Sequence, residues 1–124
     1  MAGNIWPPYT DSSLPNDGLS VDLIRTALGR GGYRVEYTEV PWERALLGLN
    51  SGAFDMVNGW DTEKRVDYTR SSRPFLINRM RWVQRRGTDF RYDGLDSLLG
   101  YPIALSRGYM YSDELDNDSR LQKG

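Results

Sequence analysis

A chain of 124 residues with 16 basic and 17 acidic side chains, net charge −1, reads as one domain by length and carries no overall field to attract nucleic acid or an anionic membrane. The absence of Cys excludes thiol catalysis, a disulfide framework and Cys-ligated zinc, and the absence of His removes the commonest neutral-pH base and metal ligand. Four Trp, eight Tyr and three Phe set the chain apart from a disordered tail, which lacks the aromatic surface to form a core.

No apolar run approaches a membrane span. No leader segment is read at the start, where Met1-Ala2-Gly3 runs directly into sequence of structured character. Asn4 to Asp11 reads as the end of a strand entering a loop, because Pro7 and Pro8 block helix. Ser12 to Gly18 is a polar turn. Ser20 to Arg30 is the first predicted helix, with Leu23, Ile24, Ala27 and Leu28 on one stripe, Ser20 as cap and Gly31-Gly32 as stop. Leu19 is placed to pack on Ile24 as a hydrophobic staple. Arg34 to Thr38 alternates like a short strand. Pro41 opens a second helix, with Trp42, Ala45, Leu46 and Leu49 at helical spacing and Gly52 at its end.

Phe54 to Val57 is a third strand, and Asn58 to Asp67 a polar loop in which Thr62 caps a single turn carrying Arg65. Pro74 to Arg85 is predicted extended, with Leu76, Met80 and Trp82 on one face and Arg79, Arg81 and Arg85 on the other. Asp93 to Leu99 is a short helix, Tyr101 to Leu105 a strand, and Gly108 a turn into Tyr109 to Leu115. Alternating strands and helices predict an α/β sheet with crossover helices. Ligands gather at the carboxyl ends of such strands. That places three loops at a site: Trp6 to Tyr9, Gly59 to Arg65, and Arg107 to Tyr111.

Seven pieces then occur in order. They are Trp6-Pro7-Pro8-Tyr9, Gly18-Leu19-Ser20-Val21-Asp22-Leu23, Val35-Glu36-Tyr37, Pro41-Trp42, Leu49-Asn50-Ser51-Gly52-Ala53-Phe54-Asp55, Thr62-Glu63-Lys64-Arg65 and Ser72-Arg73-Pro74-Phe75. Together they resemble the bacterial extracellular solute-binding proteins of family 3, the polar amino-acid receptors of ABC importers. A looser match continues through Tyr101-Pro102-Ile103-Ala104-Leu105-Ser106-Arg107-Gly108. The resemblance implies an α/β fold of the periplasmic-binding-protein type II kind, a two-lobed sandwich. Residues 1–86 would supply lobe one and its first crossover strand, and residues 87–124 the start of lobe two. Members of that family are longer, so the chain is expected to be a fragment, with exposed sheet edges that favour self-association. The implied place is the periplasm, and the implied partners are a small polar ligand and a membrane permease. No cofactor, metal or nucleic acid is implied.

The resemblance also implies a binding set. Arg65, in the Thr-x-x-Arg motif, corresponds to the clamp on a ligand carboxylate; its planar, permanently charged fork matches two carboxylate oxygens. The plainer alternative is a surface pair with Asp61 or Glu63. Trp6 matches an aromatic wall, with a core Trp beside a rigid Pro-Pro turn as the even alternative, and Trp42 a cleft-lining position, although its helical spacing is better explained by a core residue. Asn58, Gly59 and Trp60 stand where the family meets the ligand's amino group, in a stretch shorter than usual, and Thr62 opens the motif that carries Arg65. Tyr109 and Met110 follow Gly108 where a small hydroxyl residue is usual, leaving backbone N–H groups as the remaining donors.

Two charge groups read as solvated surface. Arg79, Arg81, Arg85 and Arg86 alternate on a strand rather than forming a nucleic-acid footprint, and Asp113, Glu114, Asp116 and Asp118 lack the spacing of a calcium loop. The rival functions are an enzyme on the same fold, of the cyclohexadienyl dehydratase kind, and a sensory ligand-binding module. No opposed carboxylate pair supports the enzyme.

Overall fold

The computed structural model describes residues 1–59 and 69–124. They divide into two compact units, Met1–Leu76 and Ile77–Gly124.

The first unit is built on parallel strand segments. β1 (Ala2–Gly3) pairs with β2 (Thr38–Glu39), Ala2 opposite Thr38 and Gly3 opposite Glu39. On the opposite edge of β1, Ala2 bridges Val57 in parallel. The Ala2 N–H donates to the Met56 carbonyl at 2.9 Å, and the Ala2 carbonyl accepts from the Asn58 N–H at 3.2 Å. β1 is therefore the middle of three parallel segments, and Ala2 is fully buried. Parallel neighbours need crossover connections, which α1 (Leu19–Arg30) and α2 (Trp42–Ser51) supply. The β2 pairing begins later than expected: the ladder runs from Glu36 to Val40, not from Arg34.

α1 starts one residue before its expected cap. Gly18 occupies the cap position without a side-chain hydrogen bond. The reason is the preceding loop, whose carbonyls do the capping: Leu19 N–H donates to Pro8 O and Ser20 N–H to Tyr9 O, each at 2.9 Å. Ser20 is consequently buried rather than capping. Leu19 is no staple; it lies inside the helix and is 46% exposed. The buried stripe is also rotated from the expected one. Val21 is fully buried and Ile24 and Leu28 are half-buried, whereas Leu23 and Ala27 face outward. Arg25 on the inner side ties three segments together. Its guanidinium meets Asp17 at 2.7 Å and donates to the carbonyls of Asn16 and Val35.

α2 follows the expected pattern. Pro41 precedes it, Trp42 and Ala45 are buried, Leu46 and Leu49 are half-buried, and Gly52 closes it in the left-handed region at φ 78°. Gly48 was not on the predicted stripe but is buried with it. A side chain there would collide with the Phe54 ring, so the missing Cβ lets residue 54 turn back under the helix. Between these elements, the polar turn is organised by Asp11, whose carboxylate accepts from Ser13 N and Oγ at 2.8 and 2.6 Å. Those two hydrogen bonds hold its pKa below the ordinary carboxylate value.

The second unit has its own small core of Leu98, Ile103, Leu115 and Leu121, flanked by Phe90, Leu95, Leu105 and Tyr111. β3 (Pro102–Ile103) pairs in parallel with β4 (Gln122–Lys123), and α3 (Asp113–Asn117) crosses between them. β4 was not predicted; two polar residues carry no alternation for a sequence reading to detect. The helix expected over 93–99 is a single tight turn, Leu95–Leu98. The extended run predicted for 74–85 carries no strand pairing. Met80 and Trp82 on its supposed inner face are 56% and 40% exposed. A strand needs a partner for its N–H and C=O groups, and none of the described residues offers one.

Ser112 caps α3 by accepting from Leu115 N–H at 3.2 Å. Lys123 closes the other end, its ammonium donating to the carbonyls of Leu115 and Asp116 at 3.0 and 2.9 Å. Arg120 donates to both Asp118 oxygens and to Asp96. The Arg120 side-chain hydrogen bonds lead in holding the Asp118 carboxyl down at about 2, from an ordinary 3.8. A depressed carboxyl stabilises the fold above its unfolded value and loses that contribution as pH falls through its folded one. In Arg120→Met, which keeps the residue-120 backbone N–H and the Lys123 charge beside the carboxylate, the Asp118 carboxyl is expected to rise from about 2 toward 3.8 without reaching it, as read by carboxyl-carbon NMR. Stability should then fall less between pH 4 and pH 2 than in the parent chain.

Candidate functional site

In a parallel ladder, residues that follow paired positions leave the sheet together at one edge. Gly3 is opposite Glu39 and Ala2 is opposite Val57. The segments that follow, Asn4–Trp6, Val40–Trp42 and Asn58–Gly59, therefore share the carboxyl edge of the sheet. Trp6, Trp42, Asn58 and Gly59 lie on the segments that leave at this edge, and of these Trp42 and Gly59 are in contact. This is the edge at which open α/β sheets receive ligands.

Trp6 stands on a tightly closed loop. Its N–H donates to Thr10 O at 2.6 Å, and its carbonyl accepts from the N–H groups of Tyr9 and Thr10 at 2.9 and 3.0 Å. Thr10 is buried and its hydroxyl donates to the Asn4 carbonyl at 2.7 Å. The Trp6 and Tyr9 rings are 4.9 Å apart at 50°. Trp6 itself is half-buried, so its ring is neither sealed in the interior nor free on the surface. Gly18 pins this loop to α1. Its φ is +98°, and a Cβ there would stand 2.6 Å from the Tyr9 carbonyl oxygen.

Trp42 is 5% exposed and serves the core of this unit. Its indole reaches the site edge from below, where a Cβ on Gly59 would stand 2.5 Å from the ring. The ring is the floor beneath Gly59, and a glycine is needed above it. Asn58 is 8% exposed, its N–H held by Ala2 O. Trp60, Thr62 and Arg65 lie outside the described residues, directly beyond Gly59 in the chain. Glu39, at the end of β2, accepts from Ser12 N–H at 2.8 Å. Tyr37, two residues earlier, packs against Gly3. Burial first, and the Glu39 charge second, push its hydroxyl pKa up. Neither Glu39 nor Tyr37 was read from sequence as belonging near the site; period-two alternation assigns such residues to a strand face and not to its end. A surface depression lined by Glu43, Leu46, Leu47 and Asn50 lies along the outer face of α2.

In the second unit, Tyr109 and Met110 are half-buried on the loop after β3. The Tyr109 and Tyr111 rings are 6.3 Å apart. Of the backbone N–H groups after Gly108 expected to meet a ligand here, those of Tyr109 and Tyr111 are engaged within the protein, as is Ser106 N–H before it. Ser106 N–H donates to the Tyr111 hydroxyl at 2.8 Å, Tyr109 N–H to Ser106 O at 3.2 Å, and Tyr111 N–H to Asp116 Oδ2 at 2.9 Å.

Among the described residues, no group of three or more His, Cys, Asp or Glu could hold a metal ion, and no helix is long and apolar enough to cross a membrane. The arrangement offers aromatic faces, a rigid loop and fixed backbone groups, the equipment of a binding surface. The family model for bacterial extracellular solute-binding proteins, family 3, matches residues 2–122. Neither the curated proteins nor the solved structures searched gave a match. The match spans both units, and the chain belongs to the bacterial extracellular solute-binding proteins, family 3, whose fold is periplasmic-binding-protein-like and whose members bind solutes outside the cell.

Proposed function

We propose that the chain contributes ligand-gripping surfaces to a two-lobed periplasmic receptor that captures an amino acid or related small anion for an ABC importer. The observation that supports this reading is the shared carboxyl edge of the three parallel segments, from which the stretches carrying Trp6, Asn58 and Gly59 leave in a chain of this family. In this reading residues 1–86 belong to lobe one and residues 87–124 to lobe two. Arg65, in the motif that Thr62 opens, clamps a ligand carboxylate, Trp6 supplies an aromatic wall, Asn58, Gly59 and Trp60 meet the ligand's amino group, and Tyr109 and Met110 belong to the lobe-two side. Closure of the lobes around the ligand is driven by contacts that the closed state makes better than the open one. The permease then takes the ligand from the closed receptor. No turnover is part of this account; the protein binds and releases.

Arg65→Ala is expected to weaken binding of an anionic ligand by about tenfold or more, the scale of a lost charge-assisted hydrogen bond. Calorimetry on the protein carrying this sequence measures it. An unchanged dissociation constant would remove Arg65 from the site.

A further inference from the structure

Residues 68–88 hold six arginines and no acidic side chain, a local charge of +6, while the remainder of the chain holds 10 basic and 17 acidic residues and stands at −7. The net charge of −1 therefore conceals a strongly cationic stretch. Ten of its residues, 77–86, lie in the second unit, and all ten are exposed. Among the described residues no carboxylate is within ion-pair distance of Arg79, Arg81, Arg85 or Arg86. Four large apolar side chains are interleaved with these arginines. Ile77 and Val83 are 84% and 92% exposed, and Met80 and Trp82 also meet solvent. Trp82 anchors the stretch, its ring 5.6 Å from that of Tyr92. The chain has turned between them, with Thr88 N–H donating to Arg85 O at 3.2 Å.

A solvated charged face explains the arginines but not the aliphatic side chains left in water between them. Two copies of the stretch laid side by side would set arginine against arginine, which repels. A nucleic acid would engage the arginines and the indole and leave Ile77 and Val83 wet. An anionic bilayer takes each group at its own depth: guanidinium forks on lipid phosphates, the indole at the headgroup boundary, and the aliphatic groups at the start of the acyl region. We infer that residues 77–86 form a docking surface for an anionic lipid bilayer, with Arg79, Arg81, Arg85 and Arg86 at the phosphates and Ile77 and Val83 beneath them. The inference does not rest on the ligand reading and survives its failure.

The test is co-sedimentation of the protein carrying this sequence with vesicles of phosphatidylcholine, alone or mixed equally with phosphatidylglycerol. Binding is expected to the mixed vesicles, at least about tenfold weaker to phosphatidylcholine alone, and falling as salt rises from about 0.02 M to about 0.5 M. Arg85→Gln combined with Arg86→Gln should weaken it about 25-fold, at about fivefold for each arginine near the surface. Ile77→Ser combined with Val83→Ser should weaken it about tenfold. These side chains stand in solvent, so circular dichroism should show the fold unchanged in both variants. No binding to the mixed vesicles, or equal binding to both compositions, overturns the proposal. Undiminished binding by the Ile77 and Val83 variant overturns the bilayer as the partner. A DNA duplex of random sequence bound more tightly than the mixed vesicles, and equally by that variant, would assign the stretch to nucleic acid instead.

Discussion

Trp42→Ala is expected to lower the unfolding free energy of the first unit by about 3–5 kcal/mol, the range for truncating a buried aromatic side chain. The indole is 5% exposed, at the first turn of α2, with Ala45 and Gly48 continuing its stripe into the interior. Its ring also supports the chain at Gly59. The cavity left by alanine would lie between the helix and the last parallel segment, where neither backbone can collapse freely. A domain with a total stability of about 5–15 kcal/mol survives such a loss poorly, if at all. Urea unfolding followed by circular dichroism measures the effect, and Trp42→Phe should retain most of the stability. A loss below about 1 kcal/mol for Trp42→Ala would mean that the ring is a wall of the cleft and not a part of the core.

Gly18→Ala is the second large effect, expected to cost about 3 kcal/mol or more. Two terms act together. The backbone at φ 98°, ψ 167° belongs to a region that L side chains avoid, at about 1–3 kcal/mol. The added methyl would also stand 2.6 Å from the Tyr9 carbonyl oxygen and 2.8 Å from its carbon. Those are backbone atoms, and Tyr9 O is the acceptor that holds Ser20 N–H, so relief comes only by prising the Trp6 loop from the start of α1. The substitution should therefore destabilise the unit and alter tryptophan fluorescence as the Trp6 environment opens. A melting temperature within about 1 °C of the parent would contradict this account, since 1 kcal/mol already moves a domain of this size by about 4–8 °C.

The second helix was the most legible element because periodicity, a leading proline and a closing glycine all agree there. The first helix was legible in extent but not in orientation. Leu23 and Leu28 have equal claims to an apolar stripe, and only the packing of Val21 decides which side turns inward. Its cap was unreadable because backbone carbonyls of Pro8 and Tyr9 do the capping, and carbonyls leave no mark in a sequence. Strands of two residues, such as β1 and β4, are set by their partners rather than by their own side chains. Of the residues to which the motif order pointed, Trp6, Trp42, Asn58 and Gly59 lie on segments that the parallel register sends out at one edge. Helical spacing already favoured a core place for Trp42, which is 5% exposed, whereas nothing in the sequence decided between wall and core for the half-buried Trp6. The hydrogen bond from Ser106 N–H to the Tyr111 hydroxyl was equally hidden, since a hydroxyl reaching back five residues has no composition signal.

The most direct test of the receptor assignment is a thermal-shift screen of the protein carrying this sequence against amino acids, small organic acids and polyamines. A ligand that binds the folded state alone raises the melting temperature with the logarithm of one plus its concentration over its dissociation constant. The account predicts a dose-dependent rise of several degrees with at least one charged class. A flat response across all three classes at millimolar concentration would contradict it.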